Sequence, residues 1–337
     1  MTGFLGRRLV QYLVTLLVGS FLLFVATEFS PGTVASKILG PYALPNQVDL
    51  LSERLHLNDP LLQRYARWLG TLTGLASNPM ADPGVGLGLT DPRGTRYLGN
   101  LGFSLMLKEP VIDVLASRVG YTILLTVCSI ALIVPLALGL GVWSGLTVGS
   151  LGDRLVSSTM AVLTALPEFA FAVALTLVFV IWLGWLPGTS TMLAGDRWGV
   201  VSQLVLPVTV LVVASATYVA RIVRASVVDT LQRPFVRAAE LKGLSRRDIV
   251  VHHILRNALI APVTVVLLQI NWLLTGVVVV ESIFAYPGVG SLLLQAALFG
   301  DIYLVQALTL MALTIAVGTQ LVGDLCYMAL DPRIRMA

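Results

Sequence analysis

RIVRASVVDTLQRPFVRAAELKGLSRRDIVVHHILRNALIAP, residues Arg221 to Pro262, interrupts a chain that is otherwise largely apolar. It holds eight of the 22 Lys and Arg residues and lies between two long uncharged runs. Two short helices fit it. The first is expected from about Gln232 to Lys242, with Ala238, Ala239 and Leu241 as a small apolar face and Gly243 closing it as a C-terminal glycine. Ser245 then caps a second helix from Arg246 to about Asn257. A helix pair too polar for lipid, tied at both ends to segments that enter it, belongs at the cytoplasmic face as a docking surface for another protein.

Composition agrees with a membrane setting. Of 337 residues, 56% are hydrophobic and 12% charged, which places the chain with polytopic membrane proteins, so nucleic acid is not the reason for the net charge of +4. Cys128 and Cys326 both fall in apolar runs, so no disulfide framework is expected. His56, His252 and His253 have no second ligand at metal spacing, and no metal site is expected.

The other segments follow from charge and apolar length. Arg7 and Arg8 precede an uncharged run from Leu9 to Thr27, long enough at ~1.5 Å per residue to cross a ~30 Å hydrocarbon core. A cleaved signal peptide has a shorter apolar centre and a small-residue site after it. Here Glu28, Phe29, Ser30 and Pro31 follow, so an uncleaved first span is expected. Residues 30–117 form the one polar stretch long enough for an extramembrane domain. It is broken by prolines but shows helical periodicity at Gln47 to Leu55 and Leu61 to Leu72. A second span is expected at about Ile123 to Gly145. The third runs from the turn at Asp153 and Arg154 to about Leu186, and a short outer loop with Asp196, Arg197 and Trp198 comes next. The fourth span falls at about Gln203 to Ala220, the fifth at Val263 to Val280 and the sixth at Tyr303 to Gly323.

Ser282 to Gly300 is also uncharged and could pass as a seventh span. Pro287, Gly288 and Gly290 inside it read instead as a turn that re-enters and leaves on one side. Six spans put Arg7, Arg8, Arg154, the eight cations of the docking stretch, Arg333 and Arg335 inside. The short outer loops then hold only Arg197, while the long loop through Arg118 holds the remaining eight. The expected division is a tail and first span at 1–29, an outer domain at 30–117, a core of five spans at 118–330 and a tail at 331–337. Both termini are cytoplasmic, with the docking loop at 221–261 and the re-entrant segment at 282–300.

Several motifs carry a resemblance. Arg237, Ala238, Ala239, Glu240 and Gly243, with His253 ten residues on and Arg256 and Asn257 in LRNAL, resemble the EAA loop of ATP-binding-cassette importer permeases, in the variant of the dipeptide, oligopeptide and nickel importers. Glu281, Pro287, Gly288 and Gly290 resemble that family's Glu-x-Ile-Phe-x-x-Pro-Gly-x-Gly element, and Asp324, Asp331, Pro332 and Arg333 its C-terminal signature. Pro31 and Gly32 after the first span, and Gly99, Asn100, Leu101, Gly102 and Ser104 before Arg118, are similar to further family elements. Three departures stand out: Ala261 precedes Pro262, Thr33 and Val34 replace the usual Asp-Pro, and Thr73 to Leu98 looks like an insertion. The chain is most similar to the first of the two permease subunits, the one with a long outer loop.

That resemblance implies an all-α fold of six transmembrane helices, the type I importer permease, in a bacterial or archaeal inner membrane. It also implies a second homologous permease subunit, two ABC ATPase subunits and an extracytoplasmic solute-binding protein. ATP and Mg would bind the ATPases, with no cofactor on this chain. The coupling residues would be Arg237, Ala238, Ala239, Glu240, Gly243, His253, Arg256 and Asn257, and the solute a di- or oligopeptide, or alternatively nickel or another small solute.

Polar residues inside the spans are candidates for the solute path, because a charge in the bilayer must face the bundle, a partner or water. They are Glu168, Gln269 and Asn271. Gln269 and Asn271 are two apart in a helix and cannot share a face. For Glu168 the path and a mere bundle position both stand, and Asp324 lies near enough to the inner end of its span to pair with an arginine. No GxxxxGK[ST] cradle, HExxH or Ser-His-Asp set at one membrane face occurs, which argues against an ATPase or an intramembrane protease. A self-sufficient channel or secondary carrier is the remaining rival, and the paired repeats common in such carriers are not evident.

Overall fold

A computed structural model describes residues 2–29, 34–40, 42–81, 91–192, 199–275 and 277–330. The expectations at Pro31 and Gly32, at Asp196 to Trp198, at Asp331, Pro332 and Arg333, and in part of the insertion lie outside these residues. The helices are α1 (Thr2–Glu28), α2 (Val34–Leu39), α3 (Pro45–Arg54), α4 (Leu61–Leu72), α5 (Val111–Leu146), α6 (Leu151–Ala165) and α7 (Glu168–Leu175), the last running on as a π-helix over Thr176–Trp182. Then come α8 (Val200–Leu231), α9 (Pro234–Leu241), α10 (residues 246–258, π over Ile249–Leu255), α11 (Ile260–Leu274), α12 (Val278–Ile283), α13 (Val289–Phe299) and α14 (Ile302–Leu330). The only pairing of β type among the described residues is an isolated bridge between Phe103 and Pro110.

Among the described residues five stretches are long and apolar enough to cross a bilayer: Gly6–Glu28, α5, α8, Ile260–Ile283 and Ile302–Leu325. The sixth is α6 with α7, bent by 101°. A third span running to about Leu186 was expected there. Pro167 breaks it: the residue before a proline is pushed out of the helical region, and Leu166 is extended at φ −75°, ψ 129°. The candidate seventh span resolves as α13, whose 11 residues reach only ~16 Å at ~1.5 Å each, about half a hydrocarbon core. With the bent pair counted as one, this is a six-span all-α membrane protein.

Two boundaries differ from expectation. α5 begins at Val111, seven residues before Arg118, so the polar stretch expected at 30–117 ends in a helix already under way. α8 continues to Leu231, so Arg221 and Arg224, expected in the loop at 221–261, belong to the end of a long apolar helix.

The chain forms two compact units, residues 1–120 with 288–318 and residues 121–287 with 319–337. In the first, Phe21 and Phe24 of α1 meet Tyr65 of α4 edge-on at ring centroid distances of 5.1 and 5.6 Å, and Ser20 Oγ lies 2.8 Å from the Tyr65 hydroxyl. Arg64 donates to Glu28 Oε2 at 2.6 Å beside them. Asp301 caps α14 by accepting from Leu304 N–H at 3.2 Å. Its buried carboxylate also accepts from Ser104 Oγ at 2.6 Å and Met106 N–H at 3.1 Å, which fixes the Gly-Asn-Leu-Gly element against the last span.

In the second unit α8 is the central helix. Val210, Leu211, Val219, Ala220, Val223 and Val227 are buried among residues of α5, α6 and α11. Gly141 and Gly145 of α5 permit its close approach. A Cβ at Gly141 would stand 2.6 Å from the Ala220 carbonyl oxygen, and one at Gly145 2.8 Å from Val227 Cβ. Small residues four apart are a recurring device for close helix contact in membranes.

Candidate functional site

The docking pair folds from local signals. Pro234 sits in the first turn of α9, where its missing N–H costs nothing, and Arg233 before it is extended. At the other end Gly243 N–H donates to Glu240 O at 2.9 Å and Leu244 N–H to Ala239 O at 3.4 Å, the paired bonds of a Schellman ending. Gly243 has φ +76°, as that ending requires. Ser245 Oγ accepts from Asp248 N–H at 3.2 Å and starts α10. The π-turns of Ile249–Leu255 direct Ile249 and Ile254 into the core, and Ser226 Oγ of α8 donates to Ala258 O at 2.6 Å at the far end. Both helices are thus anchored to the membrane bundle.

The pair has an inner and an outer side. Val236 and Ala239 are buried in the core of this chain, Ala239 with 4% of its surface exposed. Ala239 is therefore not part of the surface offered to a partner, as the sequence had suggested for all three apolar residues. The helical period turns it inward with Val236. Ala238 and Leu241 do face out, Leu241 being 84% exposed, together with Phe235 and Leu244. Arg237 and Glu240 are exposed and share a cleft of about 450 Å³ with Leu231, Gln232 and Arg233. Arg256 and Asn257 are exposed, His253 is half-buried, and Asn257 Nδ2 donates to the His253 carbonyl at 2.7 Å.

A polar cluster that sequence reading missed joins α5, α6 and α8. Asp153, in the first turn of α6, is buried. It accepts from Arg224 of α8, from Ser144 of α5, from Ser157 at 3.1 Å and from Gly149 N–H at 3.0 Å. Three spanning helices are joined at one carboxylate. Asp153 stood as a turn residue and Arg224 as one of many cations, and nothing in the local pattern relates positions 71 apart.

The path candidates lie on two helices, α7 and α11. Glu168 is half-buried in the first turn of α7. Gln269 and Asn271 are half-buried on α11, and the Asn271 side-chain carbonyl is enclosed without a hydrogen-bond partner. Of the motif residues, Glu281 is wholly buried, with Thr122 Oγ1 donating to it at 3.4 Å, and Gly288 and Gly290 are buried at the start of α13 while Pro287 is half-buried. Asp324 is half-buried on α14. Among the described residues no group of three His, Cys, Asp or Glu side chains is placed to hold a metal ion.

Six apolar spans with a capped, anchored and outward-facing polar helix pair define the membrane component of a transporter. Residues 137–336 match the family described as binding-protein-dependent transport system inner membrane component, and residues 1–126 match its N-terminal companion. The chain belongs to that family. It is 33% identical over 336 residues to the glutathione transport system permease protein GsiC of Escherichia coli K12, covering 99% of each chain. It is 29% identical, at the same coverage, to a Brucella abortus protein named provisionally as a peptide transport system permease. A chain of the MetNI methionine ABC transporter, crystallised facing inward, has the same fold at a TM-score of 0.53 and 20% identity over 66% of this chain and 99% of its own. The family is the multi-pass inner-membrane part of such importers, working with a binding protein, an ATPase and a second permease, and ATP hydrolysis resides in the separate ATPase.

Proposed function

We propose that this chain is the first permease subunit of a peptide importer, forming half of the path for a short peptide delivered by a binding protein. The observation that carries the reading is the docking pair, whose Schellman turn at Gly243 and exposed Leu241, Arg237 and Glu240 suit it to a groove on an ATPase. Closure of two ATPase subunits moves the pair, and its anchors at Ala239, Ile249 and Ser226 pass the movement to α8. The complex comprises this chain, one homologous permease, two ATPases that hold ATP and Mg, and one binding protein. Both termini and residues 221–261 face the cytoplasm, and residues 30–117 lie outside. Kinship over its full length with a permease for glutathione, itself a tripeptide, supports the peptide class.

The test is purification of the tagged chain from its native membrane, identification of its companions by mass, and reconstitution. ATP hydrolysis stimulated by binding protein loaded with tripeptide is expected, and a lone chain that transports without any ATPase refutes the reading. Topology is checked separately by single cysteines at Ser77 and Arg247 in a background without Cys128 and Cys326. An impermeant thiol reagent on intact cells should label position 77 and spare 247.

A further inference from the structure

The helix α4 (Leu61–Leu72) follows the first span, and its contacts within the first unit fix how high it sits against that span. The uncharged run of α1 from Leu9 to Thr27 covers ~28 Å at ~1.5 Å per residue, close to the thickness of a hydrocarbon core, so its middle falls near Val18. The Tyr65 hydroxyl donates to the Leu17 carbonyl at 3.3 Å and lies 2.8 Å from Ser20 Oγ, which puts it at that middle level. The Tyr65 ring meets Phe21 and Phe24 edge-on, and Trp68 packs on Phe24 at a centroid distance of 5.8 Å. Phe21 and Phe24 are six and three residues short of Thr27, so these contacts lie ~5–9 Å inside the end of the apolar run.

The sequence of α4, LLQRYARWLGTL, is built for that level. At the helical period Leu61, Leu62, Tyr65, Trp68, Leu69 and Leu72 fall on one side and Gln63, Arg64, Arg67 and Thr71 on the other. Tyr65 and Trp68 are used on α1. Leu62, on the flank of the same side, is 69% exposed, and Leu61, Leu69 and Leu72 are only half-buried. The arginines reach away from the apolar level. Arg64 extends to Glu28, beyond the end of the uncharged run, and Arg67 to Asp59 ahead of the helix.

A single exposed leucine needs no explanation. This one belongs to a helix lying within the depth of the hydrocarbon, at a level where α1 itself exposes Leu17, Val18 and Leu22, and there the surrounding medium is acyl chain.

We propose that α4 is an interfacial helix, its Leu62 and Leu69 flank seated in the lipid of the leaflet that α1 crosses at its C-terminal end and its Gln63 side turned to the headgroups. That this leaflet is the outer one rests on the topology proposed above. The segment after the first span is then held down on the bilayer at α4.

The experiment puts a nitroxide on Leu62→Cys, Gln63→Cys and Leu69→Cys, one at a time, in a background without Cys128 and Cys326. The chain is purified from its native membrane with its companions and reconstituted in liposomes of phosphatidylcholine and phosphatidylglycerol. Power-saturation electron paramagnetic resonance compares collisions with dissolved oxygen, which concentrates among acyl chains, and with a nickel chelate confined to water. Positions 62 and 69 should favour oxygen severalfold more than position 63, at a depth of about 5–10 Å into the boundary between headgroups and acyl chains. The two apolar positions repeat one reading, so a local distortion by either label is recognised. Access of the nickel chelate to 62 and 69 equal to that at 63 overturns the proposal, since the flank is then in water. Shielding of 62 and 69 from both reagents also overturns it, because a protein then covers the flank. Depth reads the same from either leaflet. A topology refuted by cysteine labelling therefore leaves a lipid-seated α4 standing, and a water-exposed α4 leaves the six-span topology standing.

Discussion

Arg224 forks onto Asp153, with Nε 2.7 Å from Oδ1 and a terminal nitrogen 2.8 Å from Oδ2. The carboxylate is buried and the guanidinium partly so, an arrangement in which losing one partner is far costlier than the pair is stabilising. Arg224→Met should therefore destabilise the chain by about 3–5 kcal/mol. Arg224→Lys keeps the charge without the fork and should fall between. Thermal unfolding of the detergent-solubilised chain, followed by size-exclusion fluorescence, measures both. Equal stability of Arg224→Met and wild type would show that the cluster is not a structural joint.

The contact of α5 with α8 should tolerate no side chain at Gly141. Its Cβ would meet a backbone oxygen at 2.6 Å, which cannot rotate away, so Gly141→Ala should cost about 1–3 kcal/mol through overpacking. Gly139 is the control. Nothing lies within 4 Å of a Cβ there, and Gly139→Ala should be neutral or gain up to ~1 kcal/mol in helix propensity. The same unfolding measurement separates the two, and matching values would dismiss the close approach.

These two features show where sequence reading stops. Apolar run length and the placement of cations located the six spans, and cap chemistry located the docking helices, since Gly243 and Ser245 act on residues three to five away. The ion pair of Asp153 with Arg224 and the hydrogen bond from Ser104 to Asp301 join residues far apart in the chain, and local periodicity carries no information on such pairs. The four-residue spacing of Gly141 and Gly145 is, by contrast, visible in the sequence as a signal of close helix contact. For Ala239 the helical period identified an apolar face, but whether such a face meets its own chain or a partner is decided by tertiary packing.

The segment around Asp91 should loosen in acid. Burial pushes the Asp91 carboxyl up, but hydrogen bonds from Arg93 and Tyr97 outweigh it and hold the group below the usual carboxylate range. A carboxyl whose folded value lies below its unfolded ~3.9 contributes stability that is present above that pH and lost as pH falls through the folded value. Hydrogen exchange at residues 91–97 should therefore speed up below about pH 4 in the wild type. In Asp91→Asn it should already be faster at pH 7 and respond less to acid. A pH response identical in the two chains would exclude Asp91 as its source.

The two sides of α9 predict opposite outcomes for the same substitution. Ala239→Asp puts a charge into the core of this chain, at a cost of several kcal/mol, so the variant should fall in membrane abundance. Leu241→Asp changes an exposed residue and should leave abundance unchanged while weakening retention of the ATPase during purification. Immunoblots of membranes and of the purified complex give both readouts. If Ala239→Asp accumulates normally and Leu241→Asp keeps its ATPase, the inner and outer sides have been assigned the wrong way round.

Gly243 tests whether the turn between the two docking helices transmits force. A Cβ there has open space on every side, so any penalty comes from the backbone alone. At φ +76° a β-branched residue is strained, at a cost of roughly 1–2 kcal/mol, whereas asparagine tolerates that region. Gly243→Val can relieve the strain only by reopening the Schellman bonds to Glu240 and Ala239, which changes the angle between α9 and α10. Neither helix is a membrane span, so insertion and abundance should survive. Solute-stimulated ATP hydrolysis by the reconstituted importer should fall severalfold for Gly243→Val and stay near wild type for Gly243→Asn. Loss in both variants would mean that a side chain is itself excluded, by a partner surface pressed against the turn. Retention in both would mean that the angle set by Gly243 does not matter for coupling, and that the movement enters α8 by another route, of which the Ser226 bond to Ala258 is the nearest.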